Sequence, residues 1–181
     1  LDRLPTRPRL VHAANSAGAW RLQQALDLVR PGIFLYGGRM ADDLPEPRPV
    51  ATLRARVVSL RAIPAGESVS YGAEWRAARN TMVATLGIGY ADGVRRSVQN
   101  RAQVLLCGRR CPVIGRVTMD MIVVDVGPAG GAGPRVGDVA TLIGSDGAES
   151  ISLDEFAGWA GTISYEVLTG LGRRLPRVYT E

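Results

Sequence analysis

The spacing of hydrophobic and polar residues divides the chain into two parts. In the first 49 residues the apolar positions form short unbroken runs, the clearest being Arg9 to His12 and Ile33 to Tyr36. A turn of small residues between them leads into a helix predicted from about Ala19 to Leu28. Unbroken apolar runs are typical of buried strands in parallel sheets. This part therefore predicts a strand, a helix and a strand of an α/β fold, a unit that needs neighbouring strands on both sides.

The remainder of the chain predicts an antiparallel β fold. It follows a linker at residues 42–49 that is punctuated by prolines. Short runs rich in β-branched residues recur at close spacing, and glycine-containing turns separate most of them. The strands are predicted at residues 50–63, 69–72, 81–90, 102–107, 113–118, 121–126, 136–143 and 175–179. Strands at this spacing are typical of a barrel or a sandwich.

Two short helices are predicted near the C-terminal end. Ser152 and Glu155 stand in the S-x-x-E arrangement of a capping box, which opens a helix. A second helix follows Thr162 and ends near Gly170 or Gly172. The fold class is therefore mainly β: an antiparallel barrel or sandwich with short helices, preceded by the α/β segment.

Composition predicts a folded core and excludes two classes of partner. The 181 residues are 46% hydrophobic, the formal net charge is +5, and all 22 basic residues are arginine. No apolar run approaches the roughly 20 residues of a membrane span, and no signal-peptide pattern opens the sequence. Arginine suits nucleic-acid binding, but these arginines are dispersed and no basic run alternates with stacking aromatic residues. We therefore expect neither a membrane nor a nucleic-acid partner.

The cysteines and the histidine do not predict a metal site. Cys107 and Cys111 are the only cysteines and His12 is the only histidine. A C-x3-C pair with one distant histidine does not match the ligand spacing of metal sites. The two thiols could face each other across a turn, but we expect them to be reduced in a cytoplasmic protein.

Two tyrosines are the first candidates for chemistry. Tyr71 and Tyr90 both lie in glycine-flanked, strand-like surroundings. A tyrosine among small residues can extend its phenol into a ligand site, and tyrosine can act as a general acid or base. The alternative is that both are strand aromatics whose hydroxyls reach solvent at the edge of a sheet.

Six stretches spread over nearly the whole chain carry a resemblance to a known family. They are His12-Ala13-Ala14-Asn15-Ser16, residues 29–37, Ser70-Tyr71-Gly72, residues 87–93, residues 115–120 and residues 163–167. In this order and spacing they resemble the C-terminal portion of alanine racemase, the pyridoxal-phosphate enzyme that interconverts L-alanine and D-alanine.

The resemblance implies a domain arrangement and an assembly. The family has an N-terminal eight-stranded α/β barrel that holds the cofactor and a C-terminal β domain. Residues 1–48 would be the end of that barrel and residues 49–181 the β domain. A complete barrel takes about 250 residues, so most of it is missing from this sequence. The family works as a head-to-tail homodimer, in which the β domain of one subunit completes the active site of the other.

The resemblance also assigns the catalytic chemistry. Tyr71 matches the tyrosine that moves a proton on one face of the substrate Cα. The family's lysine serves the other face and holds the cofactor covalently, but this chain has no lysine. Arg30 matches the arginine that donates to the pyridine nitrogen of pyridoxal phosphate. Because arginine stays protonated, that nitrogen stays unprotonated and the cofactor withdraws electrons less strongly.

Seven further residues match the binding positions of the family. The phosphate-binding set is matched by Ser16, the backbone of Gly32 and Ile33, and Tyr165. The substrate-binding set is matched by the backbone N–H of Met119, with Tyr90 and Asp120 near the entrance. Hydroxyl and main-chain N–H groups are common phosphate donors. Where the family often has cysteine before this methionine, the chain has Thr118.

These residues also have plain structural interpretations. Ser16 could cap the helix that follows it, and Arg30 could form a surface ion pair. Tyr165 and Met119 could pack in the core, and Asp92 is interpreted as a turn residue.

The resemblance implies that the parent enzyme is an alanine racemase of the cytoplasm that supplies D-alanine for cell-wall peptidoglycan. The isolated chain should be inactive, because it has no lysine for covalent attachment of the cofactor. The alternative is a non-catalytic β domain that dimerises or docks. The choice of alanine over another small amino acid stays open. Residues 1–44 lack the strands that they should pair with, so we expect them to be mobile, exchanged between chains or paired with another chain.

Overall fold

The computed structural model describes residues 5–23, 26–128 and 133–180. The chain divides into two compact units, Leu1–Val50 and Ala51–Glu181. No helix among the described residues is long and apolar enough to cross a membrane.

The first unit contains a strand, a helix and a strand in the predicted order. Strand β1 spans His12–Asn15, helix α1 spans Ser16–Arg21 and strand β2 spans Leu28–Arg30. The two strands pair in parallel, with His12 opposite Leu28 and Asn15 opposite Arg30. A single turn of 3-10 helix, Ile33–Tyr36, follows. The predicted α/β segment is therefore confirmed as a class, although its elements are shifted.

Three predictions in this unit are wrong: the start of the helix, its end and the second strand. The helix begins at Ser16 rather than near residue 19, because the side chain of Asn15 accepts a hydrogen bond of 2.9 Å from the N–H of Gly18 and caps it there. It ends at Arg21, and part of the predicted helix lies at residues 24–25, outside the described residues. The run at residues 33–36 is not a strand, because the N–H of Leu35 bonds to the carbonyl of Gly32 and coils the chain.

The second unit is built around a closed antiparallel barrel. Its strands are β3 Leu53–Ile63, β4 Ser68–Val69, β5 Trp75–Arg76, β6 Thr81–Leu86, β7 Gln103–Leu106, β8 Arg109–Ile114, β9 Ile122–Gly127, β10 Val139–Asp146 and β11 Glu149–Ile151. Six of them pair in the order β3-β6-β9-β8-β7-β10, and β10 returns to β3 to close the ring. Strand β11 pairs with the C-terminal end of β10, residues 144–146, and β4 pairs with β5 as a separate small hairpin. The predicted mainly β class is confirmed, as a barrel rather than a sandwich.

The barrel interior is aliphatic. In β3 buried and exposed residues alternate from Leu53 to Val58, as expected of a strand with one face on a core. In β10 the four residues from Ala140 to Ile143 are all buried. Helix α2, Leu153–Ala160, packs against β10 and covers its second face, which accounts for the lack of alternation there.

Glycines end several strands earlier than the sequence pattern predicts. The segments predicted as strands to Gly72 and Tyr90 instead turn into 3-10 helices at Tyr71–Ala73 and Tyr90–Asp92. The strand predicted at 113–118 ends at Ile114, because Gly115 adopts a φ of +66° that bends the chain away.

The predicted closing strand at residues 175–179 is also wrong. This segment has no strand pairing, and Val178 and Tyr179 are almost fully exposed. Pro176 has no N–H to give to a sheet. The guanidinium of Arg177 instead donates to the carbonyls of Leu171, Gly172 and Leu175, which folds the segment back on itself.

Both helices predicted near the C-terminal end are present. The hydroxyl of Ser152 accepts a hydrogen bond of 3.0 Å from the N–H of Glu155 and starts α2 at Leu153. The carboxylate of Glu155 binds Arg110 on β8 instead of returning to the cap. Helix α3 spans Ser164–Gly170.

Candidate active site

Tyr71 lies on a sharply turned segment between β4 and β5. It begins the 3-10 helix Tyr71–Ala73, and 72% of its surface is exposed. Around it Ser70, Gly72 and Ala73 all have positive φ, at +65°, +76° and +49°. The turn therefore presents the phenol on the surface of the unit instead of packing it into the barrel.

Tyr90 lies on a loop that is in close contact with the turn 118–121. The N–H groups of Tyr90 and Ala91 donate to the carbonyls of Thr118 and Met119, each at 3.0 Å. A Cβ at Gly89 would stand only 2.4 Å from both of these carbonyl oxygens. The approach of the two segments therefore depends on a residue without a side chain.

The turn 118–121 leaves one backbone donor uncommitted. Thr118 closes the turn, since its hydroxyl donates to the carbonyl of Met121 at 2.9 Å and accepts from the N–H of Met121 at 3.1 Å. The carbonyl of Met119 is occupied by Ala91, but within the described part of the chain no hydrogen bond uses the N–H of Met119. This donor can therefore bind a ligand, which is the role that the family resemblance implies.

These segments border one cleft of about 490 Å³ on the second unit. It is lined by Tyr71, Tyr90, Arg96, Arg116 and residues 117–121. Four of the residues singled out by sequence, Tyr71, Tyr90, Met119 and Asp120, thus lie together. The cleft also contains two arginines that sequence reasoning missed.

Of the three charged side chains that line the cleft, Arg116 and Asp120 form ion pairs and Arg96 does not form one with a described residue. Arg116 binds Glu74 at 2.5 Å, and this hydrogen bond lowers the pKa of the Glu74 carboxyl and raises the pKa of Arg116. Arg174 binds Asp120 at 2.7 Å. Arg96 forms no ion pair with a described residue, so the cleft keeps a positive charge suited to a carboxylate.

Asp92 is a buried carboxylate beneath the Tyr90 loop. It accepts hydrogen bonds from the N–H of Gly89 at 2.9 Å and from Nε of Arg174 at 3.1 Å. Arg174 therefore connects Asp92 to Asp120, and the hydrogen bond that Arg174 donates to Asp120 is the main cause that raises the pKa of Arg174. The interpretation of Asp92 as a turn residue agrees with this position in the 3-10 helix.

In the first unit Ser16 and Gly32 are in direct contact. Ser16 is buried, and its hydroxyl accepts a hydrogen bond of 2.8 Å from the N–H of Gly32. Ser16 does not cap α1, since Asn15 does so. Ile33 is buried at the start of the next 3-10 helix. The hydroxyl and the main-chain N–H thus lie at one place in the unit.

Arg30 contacts a histidine rather than an acid. Its Nε donates to Nδ1 of His12 at 2.9 Å, and its Nη2 donates to the carbonyl of Ala13 at 3.2 Å. The remaining N–H groups of the guanidinium form no hydrogen bond with a described residue. The interpretation of Arg30 as a surface ion pair is therefore wrong.

Tyr165 stands apart from the other candidates of the second unit. It is the second residue of α3 and is 47% exposed. It does not line the cleft of Tyr71 and Tyr90. Neither Tyr165 nor Met119, which is 52% exposed, is a core residue.

Comparison with known proteins identifies the alanine racemase family. Residues 50–179 match the model of the alanine racemase C-terminal domain, and residues 1–40 match that of the alanine racemase N-terminal domain. An alanine racemase of Sorangium cellulosum is 44% identical over 180 residues, which cover 96% of this chain and 47% of the relative.

Solved structures of alanine racemases also resemble this chain. Alanine racemase of Bacillus anthracis with bound L-Ala-P superposes with a TM-score of 0.90 at 36% identity, covering 98% of this chain and 46% of the other. Alanine racemase of Bartonella henselae with covalently bound pyridoxal phosphate gives 0.86 at 35% identity, covering 99% and 48%. The chain spans about half the length of the relatives that it matches. On the match over residues 50–179, the chain belongs to the alanine racemase family.

Proposed function

We propose that the protein containing this chain is an alanine racemase that interconverts L-alanine and D-alanine with pyridoxal phosphate. The observation that carries the proposal is the cleft of the second unit, where the exposed phenol of Tyr71 and the uncommitted N–H of Met119 border the same space. The ligands named for two relatives, L-Ala-P and covalently bound pyridoxal phosphate, support the substrate and the cofactor.

In this proposal Tyr71 carries a proton to and from one face of the substrate Cα. A racemase inverts a centre most simply with one acid/base group on each face, and a phenol can serve as such a group. The exposure of Tyr71 suits a residue whose reacting partner comes from outside its own unit. The group on the other face would be a lysine from the part of the protein that precedes this sequence.

The substrate carboxylate would be bound by the turn 118–121. The N–H of Met119 is an available donor, and Arg96 supplies a positive charge in the same cleft. A backbone donor in a turn is held by the surrounding hydrogen bonds, so it is pre-organised for its ligand. Tyr90 and Asp120, which border the cleft, would line the entrance.

The first unit carries residues that fit the cofactor. The buried hydroxyl of Ser16 accepts a hydrogen bond of 2.8 Å from the N–H of Gly32 and keeps its own O–H, which can donate to a phosphate. The backbone of Ile33 belongs to the same proposed set, and Tyr165 of the second unit is a further phosphate-binding residue implied by the resemblance. Arg30 retains N–H groups that can donate to a ring nitrogen, while His12 orients it. When bound, pyridoxal phosphate supplies the electron-withdrawing ring that makes the Cα proton acidic.

The proposal extends to the assembly and to the cell. The complete protein would be a homodimer in which this β domain faces the barrel of a second subunit, and it would supply D-alanine for peptidoglycan in the cytoplasm. The alternative, a β domain that only dimerises or docks, assigns no role to the phenol of Tyr71. This difference makes Tyr71 the residue to test.

The test is Tyr71→Phe in the complete protein, with Tyr179→Phe as the matched control. Removal of the hydroxyl should lower the racemisation rate by at least about 10², the contribution expected of a general acid or base. The absorbance of the bound cofactor should not change. Tyr179 is 92% exposed and lies outside the cleft, so its variant should keep the full rate. Near-normal turnover of Tyr71→Phe in both directions would contradict the proposal.

A further inference from the structure

We propose that Arg116 and Glu74 are positioning residues for Tyr71: their ion pair holds the turn that carries the tyrosine. The inference rests on the proposed function, in which Tyr71 moves a proton. It adds two residues that sequence reasoning did not single out, on a contact that joins segments 42 positions apart in the chain.

The Tyr71 turn has a backbone that local preferences alone do not maintain. Ser70 and Ala73, both with a Cβ, have φ values of +65° and +49°. Non-glycine residues are disfavoured in this region and persist there only when surrounding contacts impose it. The segment 70–73 must therefore be held by contacts with other residues, which we together call the clamp.

The first part of that clamp is the backbone of residues 115–116. The hydroxyl of Ser70 donates to the carbonyl of Arg116 at 2.7 Å. A Cβ at Gly115 would stand 2.9 Å from both Cβ of Ser70 and the carbonyl oxygen of Val69. The two segments are thus in direct contact, and Gly115 is itself fixed by a hydrogen bond of 2.8 Å from its N–H to Oδ1 of Asn100.

The second part is the guanidinium of Arg116, which lies against Gly72. A Cβ built on Gly72 would stand 3.1 Å from Cζ of Arg116 and 3.2 Å from its Nη2. Glu74 holds this guanidinium at 2.5 Å, and Nε2 of Gln99 donates to the second carboxylate oxygen of Glu74 at 3.2 Å. Glu74 follows the turn immediately, so the ion pair joins the guanidinium to the C-terminal end of the turn that it covers.

The clamp affects catalysis because no other contact among the described residues of the unit fixes the orientation of the Tyr71 phenol. Tyr71 is 72% exposed, and its hydroxyl bonds to no described residue. The direction of the ring therefore follows from the backbone at residues 70–73. A displacement of about 1 Å at a reacting group can cost on the order of 10² in rate.

Glu74→Ala is the cleaner variant for the test. Arg116 lines the cleft, so its replacement would also alter a surface that substrate touches. Glu74 does not line it, and its removal frees the guanidinium from the turn without changing Tyr71. Glu67→Ala is the matched control, because Glu67 is also exposed, precedes the same β4–β5 hairpin and forms no ion pair with a described residue. Both variants are made in the complete protein.

The first readout is independent of activity. Hydrogen exchange of the amides in a peptide covering residues 69–76 should become faster in Glu74→Ala and stay unchanged in Glu67→Ala. Exchange in strand β6 should be the same in all three proteins, which separates a loosened turn from a destabilised barrel. Unchanged exchange at residues 69–76 in Glu74→Ala would show that the ion pair does not hold the turn and would overturn the proposal.

The second readout separates positioning from a general loss of structure. We expect kcat to fall about tenfold with little change in KM, since the residue acts through Tyr71 and not on substrate binding. With α-deuterated alanine, the isotope effect should rise for the enantiomer whose proton Tyr71 removes and fall for the other, because only one of the two proton transfers is slowed.

Isotope effects for the two enantiomers that are unchanged from those of the unsubstituted protein would overturn the positioning role even if exchange were faster. A failure of the proposed function has a different signature. In that case Tyr71→Phe itself keeps its rate, while the exchange measurement still decides whether Glu74 and Arg116 hold the turn.

Discussion

At the scale of single residues, the absence of a side chain at Gly89 lets the loop of Tyr90 reach the turn of Met119. The φ of Gly89 is −150°, an ordinary extended value, so backbone freedom is not what requires glycine here. The requirement is space, since a Cβ would stand 2.4 Å from the carbonyl oxygens of Thr118 and Met119. The N–H of Met119 therefore keeps its place only while residue 89 is glycine.

Gly89→Ala should destabilise the chain and open this contact. The methyl group cannot be accommodated unless the two hydrogen bonds from Tyr90 and Ala91 lengthen, so we expect a loss of about 3 kcal/mol in the free energy of unfolding. Chemical denaturation measures it. Gly158→Ala is the control, because Gly158 lies in helix α2 with no atom near its Cβ position. That variant should gain about 0.5–1 kcal/mol, as alanine favours helices. Equal stabilities of the two variants would contradict the steric argument.

The sequence located some of the cleft residues and missed others for a physical reason. Tyr71, Tyr90, Met119 and Asp120 lie in short motifs that are legible along the chain, and they lie around one cleft. The pairing of Arg116 with Glu74 joins residues 42 positions apart, and although Arg116 lies in the motif at residues 115–120, no local pattern shows that it pairs with Glu74. The sequence allowed Ser16 to be either a helix cap or a phosphate-binding residue. Because Asn15 caps α1, the first of these interpretations is excluded.

At the scale of elements, a helix or strand boundary can be predicted from the sequence when the residues that fix it are neighbours in the chain. The start of α2 follows from Ser152 and the N–H of Glu155, three residues apart, and it was predicted. The end of β8 depends on Gly115, whose φ of +66° follows from its close approach to Ser70 in a distant segment. The strand predicted to run through that glycine was therefore too long.

The two cysteines of the β7–β8 hairpin differ in solvent exposure. Both are free. Cys111 lies on β8 opposite Val104 and is buried, whereas Cys107 lies in the exposed turn with a φ of +54°. Burial raises the pKa of the Cys111 thiol to about 11, from an ordinary value of 9.0. The two thiols therefore do not occupy equivalent positions across the turn.

This pKa predicts a stability change at alkaline pH. The thiol of Cys111 ionises near pH 9 in the unfolded chain but only near pH 11 when folded, so its contribution is complete below pH 9 and is lost between pH 9 and 11. Cys111→Val removes the titration. Relative to that variant, the original chain should lose about 1 kcal/mol of unfolding free energy between pH 8 and pH 10. Denaturation curves at both pH values measure this change, and a constant difference would contradict it.

At the scale of the whole molecule, the barrel closes through a contact that no single segment encodes. The alternating strands predicted the mainly β class but left barrel and sandwich open. The pairing of Thr141 on β10 with Leu105 on β7 closes the ring, and these residues stand far apart in sequence. The expectation that residues 1–44 are mobile, exchanged or paired with another chain stays a prediction, because it concerns partners outside this chain.

The last prediction concerns the chain of 181 residues by itself. A covalent link to pyridoxal phosphate needs a primary amine, and no side chain of this sequence carries one, since all 22 basic residues are arginine. The hydroxyl of Ser16, which accepts from the N–H of Gly32, keeps its own proton to donate to a phosphate, so reversible binding is compatible with the structure. We therefore expect that incubation with pyridoxal phosphate, reduction with borohydride and mass measurement give no side-chain adduct. No D-alanine should form from L-alanine above a cofactor-only control.

The complete protein provides the control for this measurement, since it should give a stoichiometric adduct under the same conditions. Peptide mapping of any product from the chain distinguishes a side-chain site from the α-amino group, which would be an adventitious attachment. A stoichiometric side-chain adduct, or racemisation by the chain alone, would mean that the chemistry assigned to the missing lysine is carried by residues already present. If the adduct forms only in the complete protein, the two parts of the active site divide as proposed: the covalent attachment precedes this sequence, and the proton carrier Tyr71 lies within it.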